Sequence, residues 1–529
     1  MIGVKISSQE KAAPPAFDNR SALGIFSTRG LAVRLFITCW LVFCLHFATN
    51  IVREIYPAMS LGDHLSFDVS EYAGLHPDIF EMKDRGAFIN NNPGASILGA
   101  IPYTLARPAI DRIVDRVQRS RAASRDSTSG EYKTIYPMAQ EFHRQARERG
   151  LDVKFALAAW VVQAFCMAPI SALGVVVMFY ILHGLTSSTR KSLILALLYA
   201  FATPVFYRTA QLNQNLLVCH FALFAFAALW RPWDDALAPR RPRYLLAGLL
   251  AGWTVVLDYS GVVALLFISI YCLIRRRSLP ESAKSRFDLL HFALGVLVCA
   301  AVLMSYQWSS FGHPIYPAQR YMPDTEFSGA GYRGMGLPQL GLLWDTSFGM
   351  RFGLFTSAPL LLLSLYIPGW FRNRGGLLEK REAVCLIVFS LAFFLFCAAN
   401  QYGHLQFNSG VRYIVPVVPY LFLLASGVLL RMPRLLAVIA GIISVYWSWC
   451  LAMYRDVEQG LGIFESIIHV TFEGFRLPWL VTLDRMGYLP GGASALPLLI
   501  LSSVLIWALW SIRNRSEARS YSLPEHPAS

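Results

Sequence analysis

Apolar residues in this chain fall into long unbroken runs, with neither the alternation of a half-buried strand nor the narrow stripe of a surface helix. Runs near the roughly 20 residues that cross a bilayer recur from one end to the other. They predict spans at Leu31 to Val52, Phe155 to Leu182, Leu193 to Tyr207, Leu216 to Trp230, Tyr244 to Leu257, Gly261 to Ile274 and Leu289 to Trp308. Further runs follow at Phe352 to Trp370, Ala383 to Ala399, Tyr413 to Leu430, Leu435 to Met453 and Leu496 to Ile512. The fold class is thus an all-α polytopic membrane protein with about 12 transmembrane helices. Asp258, Tyr259, Ser260 and Gly261 are read as the tip of a tight helical hairpin, because the apolar run from Tyr244 to Ile274 is too long for one span.

Polar residues supply the orientation. Short loops rich in Lys and Arg stay cytoplasmic, and clusters at Arg190 and Lys191, Arg240 to Arg243, Arg275 to Arg277, Arg372 to Arg381, Arg431 and Arg434, and Arg513 and Arg515 fall in alternate loops. Residues 1–30 are then a cytoplasmic segment, 31–512 a single transmembrane domain, and 513–529 a cytoplasmic tail. The long loop 53–154 lies outside, since loops of that size translocate largely regardless of charge. The formal net charge of +14 follows mostly from this topology, so no nucleic-acid partner is read from it. The nine cysteines all sit in apolar runs, where they act as small hydrophobes, and form no disulfide framework or zinc spacing.

Candidate chemistry concentrates in the first external loop, which is far longer than an ordinary connection. It carries Glu54, Asp63, His64, Asp68, Glu71, His76 and Asp78 before the turn-rich stretch Asn90 to Gly94. An apolar stretch from Ala95 to Leu105 dips back towards the bilayer. Periodic positions around Ile110 to Val117 and Ile135 to Ala146, joined by a Ser-rich linker at Ser124 to Gly130, predict two interfacial helices. The glycines Gly329, Gly331, Gly334 and Gly336 match GxGxxG in spacing, but without a preceding strand or following helix they read as a substrate-side loop.

Several stretches resemble the GT-C-type glycosyltransferases that use polyprenyl-phosphate-linked sugars, a group that includes protein mannosyltransferases and lipid A aminoarabinose transferases. Ser66-Phe67-Asp68-Val69-Ser70-Glu71-Tyr72, with Asp78 and then Gly86-Ala87-Phe88-Ile89-Asn90-Asn91-Asn92-Pro93-Gly94, resembles the first-loop pattern of bacterial members. Ser347 to Phe355, around Arg351, resembles their arginine-glycine stretch before a span. Asn408-Ser409-Gly410-Val411-Arg412-Tyr413 resembles their glycine-x-arginine-tyrosine lead into a later one. An adjacent acidic pair after the first span, common in relatives, is absent here and only Glu54 stands nearby. The resemblance implies an integral-membrane glycosyltransferase, in a bacterial inner (plasma) membrane, moving a sugar from a polyprenyl-phosphate donor to a glycan, lipid or protein acceptor on the external face.

The residues support that chemistry on their own terms. The acceptor hydroxyl needs a base, for which Asp68, Glu54, Asp63 and Asp78 are the candidates, and the departing lipid phosphate needs fixed cations, for which Arg412 and Arg351 stand where external loops meet the membrane. Asp258, Tyr72 and Asn92 are further substrate-site candidates. Each has a plainer alternative: a loop carboxylate can be solvated or cap a helix, and an interfacial arginine can snorkel to headgroups. No metal site is read from spacing, although His64 and His76 among the carboxylates leave a divalent metal possible. The competing functions are a lipid or polysaccharide transporter or flippase and a non-catalytic membrane assembly subunit.

Overall fold

The computed structural model describes residues 28–123, 132, 134, 137–230, 240–279, 281, 284–329, 331–404, 410–455, 462–489 and 494–512. The linker Ser124 to Gly130, Ile135, Arg231, Asn408, Ser409, Arg513 and Arg515 lie outside them. Helices dominate, as the apolar runs require. α1 (Thr28–Leu45), α2 (Ile55–His64), an antiparallel hairpin of β1 (Ile79–Met82) and β2 (Gly86–Ile89), α3 (Gly94–Ala123) and α4 (Pro137–Glu148) form the N-terminal part. α5 (Asp152–Val162) runs through a π-helical segment, Gln163–Met167, into α6 (Ala168–Thr186), and α7 (Thr189–Phe201), α8 (Pro204–Arg208) and α9 (Gln214–Leu229) follow. Then come α10 (Arg240–Leu257), α11 (Gly261–Ser278), α12 (Asp288–Phe311), α13 (Leu340–Phe348), α14 (Leu354–Ser357) and α15 (Lys380–Ala399). The chain closes with α16 (Val418–Leu429), α17 (Arg434–Met453), α18 (Ile463–Glu473), α19 (Pro478–Arg485) and α20 (Leu496–Ser511).

Among the described residues, five helices are long and apolar enough to cross a membrane: Thr28–Leu45, the continuous Asp152–Thr186, Asp288–Phe311, Lys380–Ala399 and Arg434–Met453. Shorter apolar helices stand at Gln214–Leu229, Arg243–Leu257, Val415–Leu429 and Leu496–Ser511. The expected tip at Asp258 to Ser260 does separate α10 from α11.

Two predicted spans are broken into separate short elements. Phe352 to Trp370 resolves into the four residues of α14 and two 3-10 turns, Pro359–Leu365 and Ile367–Gly369. Pro359 and Pro368 cannot supply the amide hydrogen that continues a helix. Leu193 to Tyr207 divides at Thr203, whose side chain accepts from the Val205 amide as Pro204 opens α8. The first loop differs as well: the re-entrant stretch and the first interfacial helix are one 30-residue helix, α3, which accommodates Pro102 and Pro108.

Close packing positions the cavity described below. A Cβ at Gly248 would fall 2.0 Å from the Phe292 carbonyl oxygen and one at Gly252 would meet Cys299, while Gly295 faces the backbone of Leu245 and Leu249. This small-residue seam lets α10 and α12 approach backbone to backbone, the means by which helices associate in lipid without a hydrophobic drive. At the hairpin the β1 and β2 register pairs Ile79 with Ile89 and Phe80 with Phe88. Phe80 and Phe88 both pack on Phe311 at the end of α12, tying the first loop to the bundle.

Candidate active site

A cavity of about 1300 Å³ lies where the first loop meets the ends of the helices. Glu54, Asp78 and Asp258 line it together with Arg351 and Arg412, so five of the residues singled out in the sequence share one wall. The lining also includes Arg53, Arg208, Arg333, Arg455, Arg476 and Arg485, giving eight arginines against four carboxylates, the fourth being Glu326.

Glu54 precedes the first turn of α2 and is buried, yet its side chain does not cap that helix. Its contact with Arg53 Nε is long, 3.4 Å, while Arg53 donates from Nη1 to Asp78 at 3.1 Å. Burial works against the charge of Arg53, but Glu54 and then Asp78 outweigh it and keep the guanidinium protonated. Burial also acts to raise Asp78, and Arg53, His76 and Arg412 overcome it, holding the carboxyl below its ordinary value. His76 Nδ1 accepts from the Asp78 amide at 3.0 Å. Burial first, then Arg53 and Arg412 against Asp78, lower His76 to about 4 and keep the ring neutral.

Two buried arginines also line the cavity. Arg208 donates from Nε to the Val411 carbonyl at 2.7 Å and from Nη2 to the Gly410 carbonyl at 2.6 Å, fixing the backbone that presents Arg412. Arg455 Nη1 donates to the Tyr207 carbonyl at 2.7 Å. Burial foremost, with Arg455 and Arg412 acting against Tyr207, opposes the charge on Arg208. Arg351 is carried by a turn that Ile463 fastens, its amide donating to the Met350 carbonyl at 3.1 Å. Such a field favours an anion in the cavity.

A smaller apolar slot of about 300 Å³ adjoins the cavity and shares Thr49, Ile51, Phe142, His143 and Thr482 with it. Leu45, Phe47, Phe155, Trp160, Trp479 and Met486 also line it.

Other expected site residues are placed elsewhere. Asp63, buried at the end of α2, takes Lys154 Nζ at 2.8 Å, Arg107 Nε at 3.0 Å and the Tyr103 hydroxyl at 3.0 Å. Asp68 Oδ1 accepts from the Ser70 amide and hydroxyl at 2.9 and 2.5 Å and from the Ala87 amide at 3.0 Å, folding the loop onto β2. Tyr72 packs between Tyr56 and Phe155, and Asn92 Nδ2 donates to the Val255 carbonyl at 2.7 Å. None of these four lines the cavity. His64 lies against Glu71 at 3.6 Å, away from it. Among the described residues, no group of three or more His, Cys, Asp and Glu side chains is placed to hold a metal ion.

The glycine run forms a tight turn in which Tyr332 and Met335 pair across Arg333 and Gly334, both at positive φ. Tyr332, Arg333 and Met335 line the cavity. What the sequence reading missed is the polar tract Gln211 to Asn215 and its neighbour Arg208. Their signal was available: a polar interruption between two apolar runs, on the external side by parity of the spans.

Fold and site together define a helical membrane protein with a cation-rich cavity opening onto an apolar slot. Two solved structures are similar to this chain: ArnT from Cupriavidus metallidurans in the apo state, at 14% identity and a TM-score of 0.46, and the same protein bound to undecaprenyl phosphate, at 13% and 0.45. Each alignment covers 80% of this chain, against 63% and 64% of theirs, so the chain spans less than two thirds of the length of those proteins. No family model and no curated protein matches the chain.

Proposed function

We propose that the protein is an integral-membrane glycosyltransferase that takes a sugar from a polyprenyl-phosphate-linked donor and passes it to an acceptor hydroxyl on the external face. The observation that supports this most is the convergence of Glu54, Asp78 and Asp258 with eight arginines in one cavity that runs into an apolar slot. The slot suits a prenyl chain, the arginines its phosphate, and the carboxylates the hydroxyl. The motif resemblances around Arg351 and Arg412 point the same way.

Glu54 is the base in this scheme. It takes the acceptor proton as the hydroxyl oxygen bonds to the anomeric carbon. The bond from that carbon to the phosphate oxygen breaks, and the polyprenyl phosphate leaves with the electron pair. Arg351 and Arg412 stabilise the charge on the leaving group, most effectively where water is excluded. Asp78 is the weaker base, because Arg53, His76 and Arg412 hold its proton affinity down. Its role is to orient Arg53.

Purified full-length protein is to be incubated with decaprenyl-phosphoryl sugars and a panel of glycan, lipid and peptide acceptors, and released decaprenyl phosphate quantified. Acceptor-dependent release is expected. Movement of intact donor across vesicles without release would instead identify a flippase, and neither activity would leave an assembly subunit.

A further inference from the structure

We propose that the polar tract between α8 and α9, namely Gln211, Asn213, Gln214 and Asn215 with Asp258, is the subsite that binds the sugar of the donor through its hydroxyl groups. This rests on the glycosyl-donor reading above and adds to it the recognition of the carbohydrate.

The tract is built into the cavity wall by the fold. Asn213 caps α9, its Oδ1 accepting from the Leu216 amide at 2.9 Å. The next two residues therefore begin the helix at the cavity, where all four amide side chains line the wall and are at most 6% exposed. Gln214 Nε2 donates to Asp258 Oδ2 at 2.7 Å, and the Ser260 amide donates to Asp258 Oδ1 at 2.8 Å. That pair fixes which end of the Gln214 amide is oxygen, since a carboxylate can only accept.

Gln214 Oε1, Gln211 Oε1 and both polar atoms of Asn215 have no hydrogen-bonding partner among the described residues. Native interiors rarely leave such groups unmet. Three of the four are oxygens, and this decides the ligand chemistry. A phosphate diester has no proton to give them, and a prenyl chain has none. Sugar hydroxyls donate to amide oxygens and accept from amide N–H groups, so a polyhydroxylated ring satisfies both kinds at once. Asp258, already holding Gln214, adds an acceptor at the same edge. The subsite thus lies between Arg208 and the apolar run of α9, with the cationic lining of the same cavity beside it for the phosphate.

The test uses decaprenyl phosphate, a decaprenyl-phosphoryl pentose and a decaprenyl-phosphoryl hexose, titrated onto full-length wild-type protein and onto the apolar variants Asn215→Leu and Gln211→Leu. Wild type is expected to bind at least one sugar-bearing probe about tenfold more tightly than decaprenyl phosphate, in keeping with pockets built to hydrogen-bond hydroxyls. Each variant should lose most of that margin while keeping its affinity for decaprenyl phosphate within about twofold, which also reports that it folds. If Asn215→Leu does not fold, Gln211→Leu carries the test. A sugar that adds nothing in wild type, or variants that weaken all probes alike, would overturn the subsite. Wild type that fails to bind decaprenyl phosphate would overturn the glycosyl-donor reading itself.

Discussion

Glu54 and Asp63 stand at opposite ends of the same short helix, and the side chain of each is only 3% exposed. Their surroundings could hardly differ more. Asp63 is saturated by Lys154, Arg107 and Tyr103, which bind α2 to α3 and α5. Glu54 has one long contact with its neighbour Arg53 and faces a large cavity. Burial alone therefore does not distinguish a carboxylate saturated by the protein from one left open to a cavity. The discriminating quantity is how much proton-accepting capacity the protein leaves unspent, and in which direction it points.

The sharpest way to break this comparison is to remove the charge at each end. Glu54→Gln keeps shape and loses basicity, so turnover should fall by about 10²–10⁴-fold, the usual contribution of a positioned base, with donor binding retained. Asp68→Asn, acting on a carboxylate engaged by Ser70 and Ala87 away from the cavity, should keep most activity per folded molecule. The reverse pattern in a single-turnover assay would move the base to Asp68. Asp63→Asn should act on stability instead: removing the charge that Lys154 and the part-exposed Arg107 share costs about 1–3 kcal/mol. A lower Tm with near-normal activity in the folded fraction is expected, and lost activity at unchanged Tm would put Asp63 in the reaction.

The bilayer fold was legible because apolar run length reports directly on hydrocarbon thickness, and most runs are helices near the expected bounds. Phe352 to Trp370 misled for the same reason: hydropathy does not register that Pro359 and Pro368 break the ladder. The first-loop pattern around Asp68 was legible as a motif, but its geometry shows why such a motif exists in a folded loop. Asp68 closes a turn onto Ala87, and a Cβ at Gly86 would lie 2.5 Å from its carboxylate. Spacing cannot separate that role from a catalytic one. Nor could it bring Gln211 to Asn215 beside Asp258, since that meeting depends on how α9 and α10 pack.

In the same cavity, Arg412 tests whether the arginines are as specific as the carboxylates. Arg412→Lys keeps the charge but loses the planar fork that grips two phosphate oxygens. Turnover is expected to drop about tenfold, a magnitude typical of losing one charge-assisted hydrogen bond. Wild-type kinetics in this variant would mean that Arg412 contributes only net charge, and that Arg351 carries the phosphate.

The smallest effect is a pH dependence that comes from the cavity side alone. His76 has its folded pKa lowered to about 4 from an ordinary 6.5. Between those values the unfolded chain binds a proton that the folded chain does not, so His76 destabilises the protein progressively as pH falls from about 6.5 to 4. Asp78 acts in a lower window, because its depressed pKa stabilises the fold above its unfolded value and that contribution is lost only as pH drops through the folded one. His76→Gln should therefore flatten the fall in Tm between pH 6.5 and 4.5, leaving the steeper loss below pH 4 in place. Thermal unfolding in matched detergent at those pH values reads the difference directly. An unchanged slope would mean that the imidazole is solvated, and the cavity wall beside Glu54 would then be wetter than its arginines and histidine imply.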